Sequence, residues 1–191
     1  MDMARPLSEE KRSAILTAAT LIVANEGVEA ATARIARAGG VAEGTVFTYF
    51  PTKDALLNEL YLTIKRSVAA AVLAESPVRG TAADGLRSIW TNYIRWGLEH
   101  PAERRAMVQL AVSGRVSEET RTSALRAFEE VDAMLQSLVD NRFSGSVQFA
   151  SAIMAALADT TVQFIISNPD QAETITKDGF DAVLRAIAGV K

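Results

Sequence analysis

Two adjacent glycines, Gly39 and Gly40, stand between two short stretches that each read as helix, within TARIARAGGVAEGTVFTYFPTK at residues 32–53. Upstream, Thr32 supplies an N-cap, and Ile35, Ala36 and Ala38 carry the helix forward. Glycine takes the positive φ of a helix-terminating turn at little cost, so the pair ends that helix. Downstream, residues 42–50 form a second short helix with Val46 and Phe50 at i and i+4 facing inward, closed by Pro51. Two helices joined by a glycine-containing turn of about 3–4 residues make a helix-turn-helix, whose second helix fits a DNA major groove.

If residues 42–50 enter a groove, the outward side offers Glu43, Gly44, Thr45, Phe47, Thr48 and Tyr49. Gly44 lets the backbone approach closely. Thr45 and Thr48 can touch base edges or a thymine methyl, and Glu43 can accept from a cytosine amino group. The competing interpretation of the threonines and Glu43 is an ordinary solvated helix face. Charge argues weakly against a nucleic-acid partner: the chain carries a net −3. Within residues 1–55, six basic residues (Arg5, Lys11, Arg12, Arg34, Arg37, Lys53) meet seven acidic ones (Asp2, Glu9, Glu10, Glu26, Glu29, Glu43, Asp54). What matters is the potential at the contact face. Arg5, Arg34 and Lys53 can surround the second helix, and amides at helix N-termini add donors for phosphate.

The flanking sequence buttresses this motif. Residues 1–7 read as a loose arm. A helix over 8–25, capped by Ser8 and ended at Gly27 in a left-handed conformation, carries Ile15, Ala18, Ala19, Ile22 and Val23 as one apolar stripe. A three-helix unit of about 50 residues is small for independent stability and leans on the helix that comes after it. That long helix, from Thr52 to residue 74, carries Leu56, Leu57, Leu60, Ile64, Val68 and Val72 and links the two domains. After a break at 75–80, helices are expected over 81–99, 102–113, 117–141, 146–168 and 171–188, the 146–168 helix opening after Ser144-Gly145. The expected fold is all-α with about nine helices. A helix-turn-helix domain spans 8–68, its motif at about 31–50, and a second helical domain spans 69–191, which the family resemblance given below makes the regulatory (ligand-binding and dimerisation) domain.

The regulatory part is rich in large adaptable side chains. Trp90, Tyr93, Met107, Phe128, Phe149, Ile153, Met154 and Phe164 are candidates for an apolar ligand pocket, although helically spaced aromatics more commonly form plain core. The last two helices hold more apolar surface than one core needs, which points to a partner surface. Ala152, Ala156, Asp159, Gln163, Phe180, Val183, Leu184 and Ile187 are its candidates.

Enzyme chemistry is poorly served. There is no cysteine, one histidine, no HExxH, no GxSxG and no phosphate loop, so no catalytic residue, metal ligand or cofactor is expected. With no secretory leader and no run approaching the ~18 apolar residues of a membrane span, a cytoplasmic protein without a membrane partner is expected.

The run GGVAEGTVFTYFPTKDALL resembles the core signature of the TetR (TetR/AcrR) transcriptional regulators, and the likeness covers about the first third of the chain. It implies a homodimer in which the last two helices pair with their two-fold mates in a four-helix bundle. It also implies phosphate contacts from Lys53, Tyr49, the Thr32 hydroxyl and the amides beginning its helix. Phe47 stands where the family usually has a phosphate-binding tyrosine, and Ala42 replaces a common serine cap. The implied function is sequence-specific binding to a double-stranded pseudo-palindromic operator, as a repressor released by an unidentified small apolar ligand. The alternative is a helical small-molecule binder or adaptor whose helix-turn-helix no longer reads DNA.

Overall fold

The computed structural model of the protein describes residues 8–74, 81–139 and 145–188. The expected arm at 1–7 with Arg5, the break at 75–80 and Ser144 lie outside these residues. The described chain is all-helical: α1 Glu9–Glu26, α2 Thr32–Ala38, α3 Glu43–Tyr49, α4 Lys53–Leu73, α5 Ala82–Glu99, α6 Pro101–Val112, α7 Glu118–Arg126, α8 Glu129–Leu138, α9 Val147–Ser167 and α10 Ala172–Ala188. A 3-10 turn, Pro169–Gln171, precedes α10.

The helix expected over 117–141 is two helices, α7 and α8. At the joint Phe128 has φ −117° and ψ 11°, and its N–H bonds to Leu125 O at 2.9 Å, three residues back. The chain tightens there and restarts with Asp132 N–H donating to Phe128 O. No glycine or proline marks the spot. Elsewhere the caps follow the side chains. Thr52 Oγ1 accepts from Ala55 N, and Ser146 accepts from Phe149 N. Thr81 and Asp84 form a reciprocal capping box at the start of α5, whose hydrogen bonds hold the Asp84 carboxyl below the usual carboxylate range. Pro101, expected only to stop the preceding helix, is also the first residue of α6, where its missing N–H costs nothing.

The chain divides into two compact units, Met1–Lys65 with Pro101–Ala124, and Arg66–His100 with Leu125–Lys191. In the first, α1 buries Ile15, Leu16, Ala18, Ala19, Val23 and Ala24, while Ile22 is only half-buried. The small helix-turn-helix bundle gains mass from a later part of the chain. Residues 101–124, which the sequence grouped with 69–191, belong to this unit because α6 packs on α1 with Ala106 and Leu110 fully buried. Gln109 Nε2 donates to Ala24 O at 3.3 Å. Asn58 on α4 donates to Arg115 O (3.0 Å) and accepts from Ser117 N (2.9 Å), fixing the approach to α7.

In the second unit α5, α8, α9 and α10 enclose a core around Trp90, whose Nε1 donates to Thr176 O at 2.9 Å. Phe180 lies beside it with ring centroids 6.1 Å apart, and the Arg87 guanidinium sits over the Phe180 ring at 4.4 Å. α9 buries Ala150, Met154, Ala158, Thr161, Val162 and Ile165. Its other side leaves Phe149, Phe164 and Ile166 exposed. With 21 residues, α9 is long and apolar enough to cross a membrane by length and composition, contrary to the expectation that no run comes near that length. One side of it nevertheless packs into the core of the unit.

Candidate nucleic-acid interface

The helix-turn-helix is built by local chemistry and then pinned from two sides. Gly40 takes φ +65°, the turn conformation required between α2 and α3, and Val41 N–H closes back on Ala36 O at 3.0 Å. Gly39 has an ordinary φ of −85°, and its role is proximity: a Cβ there would lie 3.4 Å from both Ala14 O and the Ala18 Cβ of α1. Gly27 at the end of α1 has φ 90° with ψ 172°, a positive-φ cap that is extended in ψ rather than the left-handed helical one expected.

α3 is anchored by Val46 and Phe50, both buried as their spacing requires. The Arg12 guanidinium lies 5.6 Å from the Phe50 ring centroid and pairs with Glu59 at 2.7 Å, joining α1 and α4 around the end of α3. Tyr49 adds a third fixing point, its hydroxyl accepting from the Ser8 N–H at 2.9 Å. That hydroxyl keeps its own proton for an outside acceptor.

The DNA-contact candidates come together on this element. Glu43, Gly44, Phe47 and Thr48 are exposed, and Thr45 and Tyr49 are half-exposed. A Cβ placed on Gly44 meets no atom within 4 Å among the described residues. Ala42 is the N-cap of α3 and makes no side-chain cap bond. Thr32 departs from expectation. It is the first helical residue of α2 and Ala31 is the N-cap, so its hydroxyl is directed across the turn and donates to Glu43 Oε1 at 2.7 Å.

Carboxylates also engage the flanking cations, a feature the sequence hides. Arg34 Nη2 is 2.8 Å from Glu26 Oε1, and Lys53 Nζ is 3.7 Å from Glu29 Oε2. Arg115 Nε lies 3.7 Å from Glu29 and 3.2 Å from Asp54. The acidic surplus counted along the chain was the signal, but its pairing depends on the loop after α1 and on a residue beyond α6.

The two candidate sets for the regulatory part differ from expectation in their burial. Of the pocket residues, Trp90 and Met154 are buried, Tyr93, Phe128 and Ile153 are half-buried, and Met107 belongs to the first compact unit. Phe149 and Phe164 are 58% and 60% exposed and lie on the surface of their unit, which corrects their assignment to an interior pocket. Of the pairing residues, Ala152, Ala156 and Gln163 are exposed, and Asp159 and Leu184 are half-buried. Phe180, Val183 and Ile187 are 1%, 0% and 1% exposed, so they are core of this unit and not surface. The physical reason is that α9 is apolar nearly all round, and period alone does not say which side faces the core.

Comparison with known proteins places the motif. Residues 15–60 match the family described as bacterial regulatory proteins, tetR family. The fold is similar to that of a tetR family transcription regulator from Shewanella sp. PV-4, with a TM-score of 0.85 at 23% identity, covering 95% of this chain and 99% of that one. A TetR family regulator from Marinobacter aquaeolei VT8 has a TM-score of 0.79 at 23% identity, covering 94% of this chain and 96% of that one. The regulator FadR from Bacillus subtilis in complex with stearoyl-CoA has a TM-score of 0.71 at 18% identity, covering 92% and 99%. The helix-turn-helix of α2 and α3 lies inside the segment that matches the tetR family of bacterial regulatory proteins, and the all-helical fold continuing to α10 is similar to that of regulators so described.

Proposed function

We propose that the chain is a homodimeric, sequence-specific repressor that occupies a pseudo-palindromic operator and is released by a small apolar ligand. The observation that carries this reading is the uncovered side of α3, where Glu43, Gly44, Phe47 and Thr48 face outward from a helix anchored by buried Val46 and Phe50. Thr45 and Thr48 read base edges, Glu43 accepts from a cytosine amino group, and Arg34, Lys53, Tyr49 and Thr32 engage the backbone. Phe47 contributes apolar contact with sugar or methyl groups.

Pairing sets the spacing. Two recognition helices must sit about 34–36 Å apart, or a multiple of that distance, to enter successive grooves on one face of the duplex. We place the pairing surface on the exposed side of α9, at Phe149, Ala152, Ala156, Gln163 and Phe164, with Asp159 and Leu184 at its margin. The ligand lodges in the second unit near Trp90, Tyr93, Phe128, Ile153 and Met154. FadR, with a similar fold, binds stearoyl-CoA, which supports an apolar ligand here. α4 is one uninterrupted helix contributing to both units, so we assign it the coupling. Shifting a population from 1:99 to 99:1 requires about 5.5 kcal/mol of differential binding to the released form.

The test is selection of sites from a random duplex library by the purified protein near physiological salt. A pseudo-palindrome with dimer-spaced half-sites is the expected product. No enrichment, together with no retention of any duplex, would favour the adaptor reading, which the acidic balance supports. On the selected site, Thr45→Ala should cost about 1–3 kcal/mol in specific binding and leave non-specific binding intact. Lys53→Ala should weaken both and flatten the salt dependence by a slope of about 1. Equal losses with an unchanged slope would refute these roles.

A further inference from the structure

Three of the groups assigned to DNA already hold a carboxylate of the same unit: Arg34 holds Glu26, Lys53 holds Glu29, and Thr32 holds Glu43. Neither Glu26 nor Glu29 is explained by the stability of the fold. Glu26 is the last residue of α1, where the helix dipole opposes a negative charge. Glu29 lies in the loop after α1 with its side chain 76% exposed, and exposed pairs of this kind add little to stability. On the DNA-binding reading, phosphate oxygens would compete with these carboxylates for Arg34 and Lys53.

We infer that Glu26 and Glu29 are internal competitors of DNA phosphate, which suppress non-specific binding by holding Arg34 and Lys53 until a correct base sequence supplies the additional contacts. The inference rests on the DNA-binding reading. Non-specific affinity comes almost wholly from counterion release by cations meeting phosphates. A cation already neutralised by a carboxylate releases little, because the displaced carboxylate must recruit a counterion of its own. Base contacts do not suffer this exchange, so the competitor lowers the affinity for random duplex and the specific complex retains its base-dependent advantage. The arrangement also accounts for acidic residues outnumbering basic ones, seven to six, within residues 1–55.

The experiment compares wild type, Glu29→Gln, Glu26→Gln/Glu29→Gln and, as a control in the second unit, the exposed Glu173→Gln on random duplex over a range of salt concentrations, with thermal melting as the folding control. Each carboxylate removed beside a phosphate should raise affinity about three-fold at low salt, the repulsion of like charges about 6 Å apart in water. The double variant should therefore gain about ten-fold and steepen the logarithmic salt slope by about 2. Glu29→Gln, in an exposed loop, gives half the effect even if the double variant melts early. Wild type that binds duplex, with variants equal to it or to Glu173→Gln in affinity and slope, overturns the inference and leaves the DNA reading intact. Retention of no duplex by any of these proteins overturns both.

Discussion

Gly179→Val should lower the melting temperature by roughly 6–12 °C, the equivalent of about 3 kcal/mol in a chain of this size. Gly179 lies on α10 where it faces α9 and α5, and a Cβ built there would fall 2.5 Å from Thr161 Oγ1 and 2.7 Å from Trp90 Cζ2. Neither neighbour can yield cheaply. Trp90 is 1% exposed and its indole N–H is committed to Thr176 O, and the Thr161 hydroxyl donates to Leu157 O at 2.8 Å. Substitution by a residue of better helix propensity would ordinarily stabilise a helix interior by up to about 1 kcal/mol, so a loss isolates the packing cost. Differential scanning calorimetry decides it, and an unchanged transition would mean that α9 and α10 are not in van der Waals contact at this point.

The second large effect is the reverse case. Gly44→Leu should leave the melting temperature unchanged or raise it slightly, because nothing lies within 4 Å of the added Cβ and leucine is the better helix former. Specific DNA binding should nevertheless fall by about a hundred-fold, as the side chain holds the recognition helix away from the base edges and removes contacts worth about 1–3 kcal/mol each. Titration of the selected operator by fluorescence anisotropy, paired with a melting curve, separates the two quantities. Retained affinity would show that α3 does not enter the groove through the face containing Gly44. The two glycines thus have opposite signatures, stability at Gly179 and binding at Gly44.

Local physics was readable from the chain where the determinant is local. Gly40 announces its positive φ, Val46 and Phe50 announce the inner side of α3, and Thr52 and Ser146 announce helix starts, because each effect reaches only one turn of helix. The break between α7 and α8 has no such residue, only a change of backbone angles at Phe128. The sides of α9 were ambiguous for a different reason: apolar residues occur all round it, so Phe149 and Phe164 read as interior and are surface. On α10 the error ran the other way, with Phe180, Val183 and Ile187 assigned to a partner although they complete their own core. The interface chemistry was least legible. Glu26 and Arg34 meet across a loop, and Thr32 reaches Glu43 across a turn, pairings that no helical period encodes.

The bond from the Ser8 N–H to the Tyr49 hydroxyl has a practical consequence for handling the protein. Ser8 N is also the atom that joins Ser8 to the residue before it, so the described chain begins beside the end of α3. On the DNA-binding reading, a tag or fluorescent fusion at the amino end is therefore a variable in any operator titration, to be checked against the untagged chain.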